Sequence, residues 1–122
     1  MIKKILIVDD SPVARKILKS CIPKEPEYEI AEAADGQAGL ERFKEFAPDL
    51  TFMDITMPVM NGLECLEFIM RTDKQARVVM CTADIQIKSL KQALNLGAVN
   101  ILKKPPSKES VAKILYEVSR ST

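Results

Sequence analysis

Histidine is absent from the 122 residues, and its absence removes imidazole general-base catalysis, histidine-ligated metals and any phosphohistidine formed on this chain. Tryptophan is also missing, so no indole reports on binding. Cysteine is scarce. Cys21, Cys65 and Cys81 are odd in number, lack a CxxC spacing and fall among apolar neighbours, which argues for reduced core thiols rather than a disulfide framework or metal site. No sign of charge dominates: 18 basic residues face 17 acidic ones, giving no bulk attraction to nucleic acid or to a membrane. Long apolar runs are lacking too. The opening MIKKILIVDD holds a run of four apolar residues, ILIV, before two aspartates, too short for a signal peptide or membrane span. A cytoplasmic chain forming one domain over residues 1–122 is expected, long enough to bury roughly two thirds of its unfolded surface.

What is present is alternation. Short apolar runs suited to strands alternate with segments of helical period, the pattern of βα units in an α/β, doubly wound parallel sheet. Five units fit. Strands are expected near Lys4–Val8, Glu29–Ala33, Leu50–Met53, Val78–Cys81 and Val99–Leu102. Ser11 and Pro12 open the first helix as N-cap and first helical residue, with Val13, Ile17, Leu18 and Cys21 on one face and Pro23 ending it. Asp35 caps a helix carrying Leu40 and Phe43. The loop ITMPVMNG leads to a third helix with Leu63, Leu66, Ile69 and Met70 inward, and Ile87, Leu90 and Leu94 mark a fourth, closed by Gly97. In the last helix Val111, Ile114, Leu115 and Val118 fall at i, i+3, i+4 and i+7, an amphipathic stripe.

The residues just past the strands carry the chemistry. Asp9 and Asp10 follow the first strand, Asp54 the third, Thr82 the fourth, and Lys103 and Lys104 the fifth. Ligands of open α/β sheets bind outside the carboxyl ends of the strands, and a strand order of 2-1-3-4-5 brings these groups together. Neighbouring carboxylates would repel by about 4 kcal/mol per pair at about 4 Å and an effective dielectric near 20, so one should take up a proton. A divalent cation reverses that, and all-oxygen ligation without a full cage suits Mg²⁺ better than Ca²⁺. A cation, a hydroxyl and a lysine around one carboxylate oxygen suit phosphoryl transfer, with Asp54 as nucleophile. Taken singly, each residue also reads as a turn, cap or surface charge; four strand ends carrying the required groups together do not.

The stretches ILIVDDSP, FMDITMPVMNGLE, VMCTAD and ILKKP, in order and at these spacings, resemble the receiver domain of two-component response regulators, in particular the single-domain chemotaxis type. The resemblance spans essentially the whole chain. It implies a flavodoxin-like (βα)5 fold and an Asp54 that accepts a phosphoryl group from a phosphohistidine on a partner histidine kinase or phosphotransfer protein. It implies that Asp10, Asp54 and the backbone carbonyl of Thr56 ligate Mg²⁺, with Asp9 acting largely through water, and that Thr82 and Lys104 contact the phosphoryl oxygens. It also implies a cis Lys104–Pro105 bond and an output face formed by helix 4, strand 5 and helix 5. Lys103, one residue earlier, should point to the other face of its strand.

The sequence departs from the family pattern in places. Ile101 stands where the family's switch position is usually tyrosine or phenylalanine, and Pro106 where phenylalanine is common. Thr56 and Asp84 occupy positions resembling those that tune dephosphorylation. From Ile85 onward seven basic residues meet two acidic ones, +5, against −4 for residues 1–84, so the final third is expected to dock an acidic partner surface. A phosphorelay intermediate is a second reading. A haloacid-dehalogenase-like phosphatase would need an aspartate where Thr56 stands, and a nucleotide or flavin module would want glycines where DDSP stands. With no helix-turn-helix following, direct binding to nucleic acid is not expected.

Overall fold

A computed structural model describes residues 2–83 and 87–120. The apolar runs Lys4–Val8 (β1), Glu29–Ala33 (β2), Leu50–Asp54 (β3), Val78–Thr82 (β4) and Asn100–Lys103 (β5) form one sheet of order β2-β1-β3-β4-β5. Every pairing is parallel. Helices Pro12–Cys21 (α1), Gly36–Phe46 (α2), Gly62–Thr72 (α3), Ile87–Asn95 (α4) and Lys108–Arg120 (α5) fill the crossovers. β3 and β4 are buried at every residue, because a parallel sheet is covered on both faces.

The period of two along each strand divides the core. Leu6, Val8, Met53, Val78 and Met80 face Leu40 and Phe43 of α2, Leu66 and Ile69 of α3, and Ala93 of α4. Ile5, Ile7, Phe52, Val79 and Leu102 face Leu18 of α1 and the stripe Val111, Ile114, Leu115 and Val118 of α5. Cys21, Cys65 and Cys81 are free thiols in this core, and burial pushes the last two up to about 12.

Local chemistry sets the helix starts. The Ser11 hydroxyl accepts from the Ala14 N–H at 3.1 Å and an Asp35 oxygen from the Ala38 N–H at 2.8 Å. Asn61 and Glu64 exchange side-chain-to-backbone bonds as a capping box. Gly97, at φ +112°, turns the chain after α4.

Three details differ from the sequence expectation. Val13 and Ile17 are 66% and 42% exposed, so of the expected apolar face of α1 only Leu18 and Cys21 are buried. In α4 the inward residue is Ala93, fully buried, while Leu94 is half exposed; a small side chain carries the contact and apolar counting passes over it. β5 begins at Asn100, leaving Val99 outside it and 43% exposed.

Val59 has φ +68° and is 83% exposed, at the centre of a tight turn closed by the Met60 N–H on the Pro58 carbonyl at 2.7 Å. Positive φ costs an L-residue about 1–2 kcal/mol, and no packing offsets it here. Val59→Gly should therefore stabilise the chain by about 1 kcal/mol after the entropy cost of glycine, raising the calorimetric melting temperature by roughly 4 °C. An unchanged or lower melting temperature would refute the strain.

Candidate functional site

At the carboxyl edge of the sheet β1 runs directly into Asp9 and Asp10, β3 ends on Asp54, β4 on Thr82, and β5 is followed by Lys104. Oxygens of Asp9, Asp10 and Asp54 lie within 4.8 Å of one another. The Lys104 ammonium reaches Asp9 Oδ2 at 2.7 Å and Asp54 Oδ1 at 3.1 Å. Asp9, Asp54 and Thr82 are buried and Asp10 is exposed. Thus Asp9, Asp10, Asp54, Thr82 and Lys104, five of the six side chains singled out at the strand ends, stand at this edge. The Lys104–Pro105 bond is cis, as the resemblance implied, and Lys103 is exposed. Thr56 lies in the exposed part of the loop after β3, Ile101 is half-buried against the α2–α4 side of the core, and Asp84 lies outside the described residues.

Two residues that the sequence reading missed shape the loops around the site, and the first, Arg15, holds the β1–α1 turn. Arg15 donates to the Asp9 carbonyl at 2.6 Å and to Glu32 Oε1 at 2.9 Å, and the Ser11 N–H donates to Asp9 Oδ1 at 3.0 Å. The Arg15 partners lie 6 and 17 residues away along the chain, so no local pattern announces the link. Gly62 is the other. A Cβ there would stand 1.9 Å from the Asp54 carbonyl oxygen, and its N–H donates to the Ile55 carbonyl at 2.7 Å. Only glycine lets α3 start this close to Asp54.

Burial raises the pKa of Asp54; Lys104 opposes the rise, and the Asp9 and Asp10 charges add to it. Burial likewise disfavours the Lys104 ammonium, but its bonds to Asp9 and Asp54 outweigh that and hold its pKa above the usual lysine value. Among the described residues the acidic group is therefore under-neutralised: three carboxylates lie together and Lys104 pairs with two of them, Asp9 and Asp54. Oxygen donors alone, close together and carrying excess negative charge, fit a hard divalent cation such as Mg²⁺, and this group could hold one.

Residues 5–116 match the family model for the response regulator receiver domain. The chain belongs to this family. It is 40% identical over 119 residues to the chemotaxis protein CheY of Thermotoga maritima, covering 97% of this chain and 98% of that one. It is 41% identical over 105 residues to CheY of Bacillus subtilis, covering 86% and 88%. A structure described as the CheX–CheY–BeF₃–Mg²⁺ complex from Borrelia burgdorferi aligns with TM-score 0.90 and 36% identity over 95% of this chain and 88% of that one. The protein is a CheY-type receiver, a phosphoacceptor signalling domain of two-component and chemotaxis type. Its sheet order and helices are those of the flavodoxin-like receiver fold. Among the described residues no helix is long and apolar enough to cross a membrane.

Proposed function

We propose that Asp54 takes a phosphoryl group from a phosphohistidine on a partner histidine kinase or phosphotransfer protein. The observation that supports it is the convergence of Asp54 with Asp9, Asp10 and Lys104, whose ammonium lies 3.1 Å from Asp54 Oδ1. An Asp54 oxygen attacks phosphorus, the P–N bond breaks, and the imidazole nitrogen keeps the electron pair. Lys104 and Thr82 contact the phosphoryl oxygens as charge moves toward them. Asp10, Asp54 and the Thr56 carbonyl would hold Mg²⁺, and Asp9 would act through a water. When bound, Mg²⁺ neutralises the carboxylates and the incoming phosphoryl oxygens. The histidine-free chain depends on an outside donor. It acts in the cytoplasm and catalyses only its own phosphorylation and dephosphorylation.

The test is intact mass after incubation with a small phosphodonor. One phosphoryl adduct is expected with Mg²⁺ and none with excess chelator; an adduct formed equally in chelator would overturn the metal assignment.

Phosphorylation adds about −1.5 to −2 charges, enough to bias two conformations through Thr82 and the switch position Ile101. The output face is α4, β5 and α5, where Lys88, Lys91, Lys108 and Lys113 are exposed; we assign it an acidic downstream protein surface. Lys88→Glu with Lys91→Glu should weaken binding to the protein captured by the phosphorylated chain about tenfold at low salt, with a smaller loss at high salt. Titration of that partner at two ionic strengths reads both. Unchanged affinity would dismiss the charge argument.

A further inference from the structure

A cavity of about 270 Å³ runs from the acidic group inward between α1 and the sheet. Asp9, Asp54 and Lys104 stand at its polar end, and its walls include Ile17, Leu18, Phe52 and Leu102. The lining is short-chained at Ala14, Pro105 and Pro106. Ile17 lines it while remaining 42% exposed, so the space communicates with solvent.

Size and charge together specify what fits. An apolar cavity of about 150 Å³ accepts benzene, so this one holds a single ring with a short chain. Its polar end carries the carboxylates of Asp9 and Asp54, with Asp10 beside them, against, among the described residues, the ammonium of Lys104. That imbalance repels an anionic head group and attracts a cationic one. We propose that the cavity is a binding site for a small aromatic primary amine, its ring between Leu18, Phe52 and Leu102 and its ammonium among the carboxylates of Asp9, Asp10 and Asp54. Such a molecule puts a monovalent cation where a divalent one is favoured, so it competes with Mg²⁺. Its effect on phosphorylation rests on the function proposed above; its binding does not.

The probe is 2-phenylethylamine, titrated into the metal-free chain and followed by ¹H–¹⁵N NMR. The expected result is saturable shifts at Ala14, Leu18, Phe52 and Leu102, with Kd about 1 mM or tighter. Affinity should fall at least fivefold when Mg²⁺ is added, and 2-phenylethanol, alike in shape but uncharged, should bind at least fivefold more weakly. Ala14→Leu, which fills the cavity, should abolish the shifts while the variant still forms its phosphoryl adduct in the absence of amine. Absent or scattered shifts overturn the site. Equal binding of the alcohol, or indifference to Mg²⁺, overturns the role of the carboxylates. Should Ala14→Leu fail to fold, the comparison of amine with alcohol on the parent chain decides alone. A chain that binds the amine but forms no adduct without it refutes the proposed function and leaves this site standing.

Discussion

Asp54→Asn is expected to show no phosphoryl adduct under conditions that load the parent chain fully, a fall of more than about a hundredfold by intact mass. Asparagine keeps the shape but supplies an amide oxygen, a far poorer nucleophile, and its NH₂ group cannot accept from Lys104. An adduct on the variant would move the acceptor elsewhere. Stability should respond with opposite signs in two buffers. The pKa of Asp54 is raised in the folded chain, chiefly by burial, so ionisation disfavours folding. The cost is absent below the unfolded pKa, grows as pH rises through the folded one, and is complete above it. At pH 7 without metal, removing that charge should raise the melting temperature; with Mg²⁺ the parent should gain more than the variant, because binding to the native state stabilises it. A variant less stable than the parent in chelator would mean that the Lys104 contact outweighs burial and repulsion.

Lys104→Met tests the other side of the same balance. Its ammonium pairs with buried Asp9 at 2.7 Å and Asp54 at 3.1 Å. Removing one partner of a buried pair costs about 3–5 kcal/mol; with the Lys104 side chain 24% exposed, about 2 kcal/mol is expected in chelator. Urea unfolding measures it. Because its folded pKa is raised, Lys104 contributes fully below the ordinary lysine range and loses that contribution only as pH rises through the folded value. Affinity for Mg²⁺ should increase, since a competing cation has gone, and added Mg²⁺ should restore much of the lost stability. Phosphoryl acceptance should nonetheless fall about a hundredfold, as when one fixed donor to a developing charge is removed. Tighter Mg²⁺ with slower transfer separates a phosphoryl-contacting lysine from a merely structural one. Full rescue of the rate by Mg²⁺ would assign Lys104 to structure alone.

The fold was legible because each strand is a short apolar run with a polar residue at its end, and each helix has either a cap or an apolar stripe. The strand-end residues were legible for the same reason: they interrupt hydrophobic runs at positions where the topology brings them together. What escaped depends on groups that carry no periodic signal. Ala93 is too small to count as apolar weight, yet it sets how closely α4 approaches. Arg15 looks like an ordinary helical arginine until Glu32 arrives from another strand. The cavity behind Ile17 is enclosed jointly by α1, the strands and Pro105 and Pro106, so no residue of α1 encodes it by itself.

The backbone N–H of Lys104 donates to the carbonyl of Thr82 at 2.9 Å, so the ends of β4 and β5 are tied at the two residues proposed to contact the phosphoryl group. A pull on either strand end is shared by both. On the function proposed above, the hydroxyl and the ammonium would form one lever with a common fulcrum, and a displacement begun at Thr82 would be carried onto β5, where Ile101 stands.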